Sequence, residues 1–125
     1  MHDFFLNSYS VDFEAKKIIL NLFYEENENK VCFTDVLTHS FDTILQKNQI
    51  LSIEEYTIDY FITQNYEMII DMQPYCWPLY YETMPELKQT LLKNQYKYFI
   101  IYSSYGLNGW VLAKNKLIMN GKSDS

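Results

Sequence analysis

The sequence predicts an α+β domain: an antiparallel β-sheet, built from an N-terminal meander and a C-terminal hairpin, with two helices packed on one face. Three observations carry this. Alternating apolar residues run through the first forty positions and again from Gln49 to Tyr56. Helical spacing then takes over from Thr57 and reaches, with an interruption, to Leu92. Strand periodicity returns at Tyr96 and runs to Lys114. Short connections favour antiparallel pairing, and amphipathic helices must bury their apolar stripes against a neighbouring layer.

Each element has its own signal. Phe5, Asn7, Tyr9 and Val11 alternate with Leu6, Ser8 and Ser10, giving a first strand with one richer apolar face. Phe13-Glu14-Ala15-Lys16 makes a turn. Ile18, Leu20, Leu22 and Tyr24 share one face of the second strand, and Ile19, Asn21 and Phe23 the other. Glu25 to Asn29 is a polar hairpin loop, from which Val31 to His39 returns as a third strand. The apolar pattern slips from Val31 and Phe33 to Val36, which predicts a bulge near Thr34-Asp35. In the fourth strand Ile50, Ser52 and Glu54 alternate with Leu51, Ile53 and Glu55.

Ile58, Phe61, Ile62, Asn65, Ile69 and Met72 fall at helical spacing, and Pro74 ends that helix. Thr83 and Glu86 form a T-x-x-E capping box with Pro85 in the first turn, ahead of the stripe Leu87, Leu91 and Leu92. The chain closes with a strand from Tyr96 to Ser103, a turn from Ser104 to Gly109 and a strand from Trp110 to Lys114. No repeat or linker divides it, so residues 1–119 read as one domain and residues 120–125 as a disordered tail.

Composition limits the functions on offer. With 125 residues, nearly half of them hydrophobic, the chain can bury a core without metal or disulfide staples. Its net charge is −6, all ten positive charges are lysines, and there is no arginine. The poverty in Arg, Gly and Pro, beside abundant Tyr, Phe, Ile, Asn and Lys, is the signature of an AT-rich genome, so part of the aromatic load is mutational. The chemical consequence stands regardless: there is no guanidinium fork to grip phosphate or carboxylate. The negative field also repels nucleic acid and anionic lipid, so neither is an expected partner. Apolar runs such as Phe99-Ile100-Ile101-Tyr102 are far short of a membrane span. The opening Met1-His2-Asp3-Phe4-Phe5-Leu6-Asn7 has no basic n-region, which predicts a cytoplasmic chain. Cys32 and Cys76 are then expected as reduced, small buried side chains rather than a disulfide.

No motif announces a reaction. The best enzymatic candidate is Asp35 with His39, whose separation of four puts both on one face of a regular strand, where a carboxylate could orient an imidazole. No nucleophile signature supports them, and they read better as an ordinary polar strand pair. The two cysteines and two histidines show no metal-ligand spacing. Asp12 and Glu14 lack a calcium loop around them, and the adjacent Glu54 and Glu55 point to opposite faces. Gly106 and Gly109 fit a hairpin loop, since neither a helix start nor a closing lysine follows them. No cofactor is expected.

Two aromatic segments stand out. Tyr75-Cys76-Trp77-Pro78-Leu79-Tyr80-Tyr81 fills the connection between the helices, and Tyr102, Tyr105 and Trp110 flank the terminal hairpin loop. Rigid aromatics on surface loops suit interface anchoring. Trp77 and Trp110 could equally fold inward and complete the core. The partner-binding set expected from the sequence is Tyr75, Trp77, Tyr80, Tyr81, Tyr105 and Trp110, with Glu54 and Glu55 as acidic rim.

Asp3-Phe4-Phe5-Leu6-Asn7-Ser8-Tyr9, Phe33-Thr34-Asp35-Val36-Leu37 and Ile50-Leu51-Ser52-Ile53-Glu54-Glu55, together with Tyr75-Cys76-Trp77-Pro78 and Ser103-Ser104-Tyr105-Gly106-Leu107-Asn108-Gly109-Trp110, form a wider pattern. In it the chain resembles small acidic proteins of low-GC Gram-positive bacteria, some of which act as immunity proteins beside polymorphic toxins. The resemblance implies an α+β domain that blocks a toxin by binding it, and it carries no catalytic residue across. Three readings follow: a binding protein facing a basic protein partner, as a monomer or weak homodimer; a small-molecule or regulatory module with a pocket between helices and sheet; and a hydrolase-like enzyme using Asp35 and His39.

Overall fold

The computed structural model describes residues 4–43 and 48–120. Its strands are β1 (Phe4–Asp12), β2 (Lys17–Tyr24), β3 (Asn27–Asp42), β4 (Asn48–Tyr56), β5 (Lys97–Tyr105) and β6 (Asn108–Asn120). Between β4 and β5 come helices α1 (Ile58–Gln64) and α2 (Tyr66–Met72), a 3-10 turn over Gln73–Tyr75, and α3 (Met84–Lys93).

The strands do not form an open sheet with helices on one face, as the sequence pattern predicts. They close into an antiparallel barrel in the order β1-β2-β3-β6-β5-β4, with β4 returning to β1. The cause is the length of β3 and β6, which pair from Asn29 opposite Asn120 to Asp42 opposite Asn108. A ribbon this long coils. Its two halves therefore serve different neighbours: β2 lies against Asn27–Thr34 of β3, while β5 lies against Gly109–Ala113 of β6. The curl brings the outer strands together, and Phe4, Phe5 and Leu6 of β1 seal the barrel opposite Ile50, Gln49 and Asn48 of β4.

Two cores result. Leu6, Ile18, Leu20, Phe33, Ile50, Phe99, Ile101 and Val111 fill the barrel, where the rings of Phe33 and Phe99 meet at 5.4 Å. Outside it, Ile58, Phe61, Ile69, Tyr81, Leu87 and Leu91 pack against Tyr98 and Leu112. β5 from Tyr98 to Ile101, and β6 from Trp110 to Ala113 beside it, are thus covered on both faces, which explains the unbroken apolar run from Tyr98 to Ile101.

The first helix expected from the sequence is two. Asn65 breaks it with non-helical torsions (φ −118°, ψ 20°). Its side-chain amide donates to the Phe61 carbonyl at 2.9 Å and to the Tyr98 hydroxyl at 3.3 Å, competing with the helical ladder. At α3 the Thr83 hydroxyl accepts from the Glu86 N–H at 3.3 Å, as a cap should. The Glu86 carboxylate reaches past Thr83 and accepts from the Glu82 N–H at 3.3 Å. Asn120 ends β6 opposite Asn29, and residues 121–125 of the expected tail lie outside the described residues.

The β5–β6 turn is held by a buried amide. Asn48 Oδ1 accepts from the Leu107 N–H at 2.8 Å, and Gly106 passes beside it at φ +90°. A Cβ on Gly106 would stand 2.3 Å from Asn48 Oδ1 and 2.9 Å from its Cα. Gly106→Ala therefore combines a left-handed torsion with a backbone collision. It is expected to cost about 2 kcal/mol or more, read as a lower urea midpoint at unchanged slope. Thr83→Ala strands an N–H at the start of α3 and should cost ~1 kcal/mol in the same assay. An unchanged midpoint in either variant would contradict the corresponding contact.

Candidate functional site

The structure divides the expected binding residues. Tyr75 and Tyr80 are 75% and 64% exposed on the connection between α2 and α3. The Tyr80 hydroxyl donates to Glu82 Oε1 at 2.9 Å, and that hydrogen bond with the glutamate's charge raises the phenol's pKa. Tyr81, four per cent exposed, is a core residue instead: its hydroxyl donates to the Ile69 carbonyl at 3.2 Å, and burial raises its pKa. Tyr105 is 60% exposed at the β5–β6 turn, in register with Gln49. Glu54 and Glu55 are exposed on β4, opposite Ile100 and Phe99 of β5. Cys32 is buried while Cys76 is exposed, so the expectation of two buried thiols holds for Cys32 only; both are free.

Trp77 and Trp110 do meet. Their ring centroids lie 6.3 Å apart at 59°, and both side chains are half-buried. Trp110 packs edge-on to Phe61 at 5.4 Å, and Trp77 Nε1 donates to Thr38 Oγ1 at 3.0 Å. The inward reading thus holds in part: one side of each indole completes the outer core, and the rest faces a cleft.

Asp35 and His39 do not form a catalytic pair. Asp35 takes a left-handed torsion (φ 53°), and the register against β6 shifts between Val36 and Thr38. This breaks the parity that a regular strand would give. The exposed Asp35 carboxylate accepts from Asn115 Nδ2 at 3.4 Å. The His39 imidazole lies 4.9 Å from the ring of Phe41 and 6.3 Å from that of Phe13. Partial burial there lowers its pKa and favours the neutral ring. Among the described residues no set of three His, Cys, Asp or Glu side chains converges as a metal site, and no helix is long and apolar enough to cross a membrane.

His39 separates two cavities. One, of about 310 Å³, lies against the β1–β2 turn and carries mixed charge from Asp12, Lys16 and Lys17. The other, of about 520 Å³, is the cleft between β3 and α2. Thr38, His39 and Ser40 form one wall and Glu67, Met68, Asp71 and Met72 the other, with Trp77 and Trp110 beside them. Glu67 and Asp71 are four apart on α2 and so share a helix face. No lysine lines this cleft.

Sequence reasoning missed Glu67 and Asp71, although a signal was there. From Asn48 to Leu87 the chain has no basic residue but carries Glu54, Glu55, Asp59, Glu67, Asp71, Glu82 and Glu86. All ten lysines lie outside that stretch, with the remaining nine carboxylates. The net negative charge of the protein therefore resides in β4 and the helical excursion. So does much exposed apolar surface: Tyr66, Met68, Ile70, Met72, Tyr75 and Tyr80.

No family model, no curated protein and no solved structure matches the chain.

The His39 environment has a measurable consequence. The unfolded chain takes up a proton on this imidazole near its ordinary pKa of about 6.5, whereas the folded chain resists until lower pH. Stability should therefore be full above that value and fall as the pH drops through it toward the lower folded pKa. Thermal melts between pH 7.5 and 5.5 should show the decline, flattened in His39→Gln. An equal decline in that variant would assign it to other groups.

Proposed function

We propose that the chain is a non-enzymatic protein-binding domain that captures a basic protein partner, in the manner of an immunity protein neutralising a cognate toxin in the cytoplasm. The observation that carries this is the coincidence of charge and apolar exposure. The stretch without lysine is also the one that displays Tyr66, Met68, Ile70, Met72, Tyr75 and Tyr80. Exposed apolar groups ringed by carboxylates suit recognition of a positive surface: the aromatics supply contact area, and the field steers encounter. The same charge disfavours nucleic acid and anionic membrane as partners. Toxins that act on nucleic acid present basic active sites, which is why the immunity role is the form of this reading that best suits the charge. On its own the chain is a monomer or weak homodimer.

The separation of Asp35 from His39 removes support from the enzymatic reading. The reading as a small-molecule module keeps one observation in its favour, the cleft between α2 and β3.

The test is association with the product of the neighbouring reading frame, where an immunity factor's toxin would be encoded. The association rate should fall steeply between about 20 and 150 mM salt, as screening of opposite fields requires. Tyr75→Ala and Tyr80→Ala, both at exposed positions, should leave the melting temperature unchanged and raise the dissociation rate, with a loss of ~2 kcal/mol for a true hot spot. No association with that product would remove the immunity role. Association indifferent to salt and to both substitutions would remove this surface.

A further inference from the structure

We propose that the cleft between α2 and β3 receives a protonated lysine or arginine side chain projecting from the basic protein partner. This rests on the protein-recognition reading and deepens it by naming the contact. Three features of the cleft carry the inference. Its volume, about 520 Å³, lies in the range of ligand-sized sites, roughly 300–1,000 Å³. It offers two indoles, and a cation held over an aromatic face is attracted by the ring's quadrupole. It sets Glu67 and Asp71 on one helix face at its edge, where carboxylates accept from a guanidinium fork or an ammonium.

Among the described residues no cation answers this complementarity. The chain has no arginine, its lysines all lie outside Asn48–Leu87, and the lysines near His39, Lys16 and Lys17, line the cavity on the other side. Among the described residues the one ion pair is Lys88 with Asp59 at 2.9 Å, so neither Glu67 nor Asp71 has a lysine partner there. The hydrogen bond from Trp77 Nε1 to Thr38 Oγ1 fixes one indole before anything binds. Met68 and Met72 supply soft walls that accommodate an aliphatic stem. A neutral apolar side chain would fill the volume but gain nothing from the two carboxylates or the indole quadrupoles, so the cleft favours a cation.

The chain has two tryptophans and both line the cleft, so intrinsic indole emission reads it directly. The full chain is titrated with N-acetyl-arginine amide, N-acetyl-lysine amide and, as a neutral probe of similar reach, N-acetyl-norleucine amide. The two cationic probes should give a saturable emission change, and the norleucine probe a response at least tenfold weaker. The double variant Glu67→Gln/Asp71→Asn, at exposed positions and checked for an unchanged melting temperature, should weaken the cationic probes at least tenfold. It should weaken the neighbouring-frame product to a similar degree. Equal binding of the norleucine probe, or cationic binding unaltered by the double variant, would overturn the proposal. So would tight binding of the arginine probe with partner affinity unaltered by the double variant, because the cleft would then serve a free small cation. Partner binding lost with Tyr75→Ala and Tyr80→Ala but kept in the double variant would also overturn it, while leaving the protein-recognition reading intact. Charge-selective probe binding without any association with the neighbouring-frame product would do the reverse, supporting the cleft's cation selectivity and removing the immunity role.

Discussion

Closure of the barrel depends on one ribbon. β3 and β6 pair from Asn29–Asn120 to Asp42–Asn108, and no other strand pair in the barrel is as long. Such a ribbon must coil, and the register shift between Val36 and Thr38 lets it turn between its two sets of neighbours. Beyond that point Gly109 passes Phe41 so closely that a Cβ would stand 2.3 Å from the Ser40 carbonyl oxygen. Everything else is arranged by this curl. It brings Phe33 of β3 against Phe99 of β5, and it places β4 beside β1, where among the described residues Phe4, Phe5 and Leu6 close the wall against Ile50, Gln49 and Asn48.

The curl also positions the candidate site. On the upper half of the ribbon, one face turns into the barrel and the other receives α1, α2 and α3. Thr38 and Leu112, paired across the ribbon, both lie on that outer side: Leu112 enters the outer core, while Thr38 accepts from Trp77. The cleft is therefore a seam where α2 stands off from β3. The outer core fixes one side of Trp77 and Trp110, and the seam leaves the rest open. Contacts that stabilise the helices thus also orient the groups available to a partner.

Local features were legible in the sequence where local physics decides them. The alternation in β2, the irregularity around Asp35, and the Thr83 cap all follow from neighbours a few residues apart, whereas register shifts in β1 and β4 bring Leu6 to the side of Tyr9 and Val11, and Ile50 to the side of Ile53, where strict alternation would separate them. Closure was not legible, because it depends on the length of β6. There Lys114, Asn115 and Lys116 interrupt the alternation, and the strand looks finished at Lys114, although pairing with β3 carries it to Asn120. The helix break was hidden for a related reason: Asn65 sits at helical spacing, yet its amide bonds to Phe61 and to Tyr98, a residue far along the chain. Of the candidate site, Tyr75, Trp77 and Tyr80 could be named from composition of the connector, and Trp110 from its place beside the terminal hairpin loop. Tyr81 could not be told from them, since only the Ile69 carbonyl distinguishes a buried hydroxyl from an exposed one. Glu67 and Asp71 became visible when charge was read by segment rather than over the whole chain.

Placing charge and apolar exposure together on an insertion between β4 and β5 has a physical advantage. The barrel core is complete without Glu67, Asp71, Tyr75 or Tyr80, so these side chains are free to answer a partner's surface without unsettling closure. Trp77 and Trp110 are not free in that way, because each also packs against Phe61. A change at either indole would disturb the outer core as well as the proposed recognition, while a change at the carboxylates or the exposed tyrosines would touch the proposed recognition alone. The surface thus has a fixed floor and a variable rim. In the proposed recognition role, Glu67, Asp71, Tyr75 and Tyr80 are therefore the side chains that can be exchanged while the indoles and the ribbon beneath them are kept.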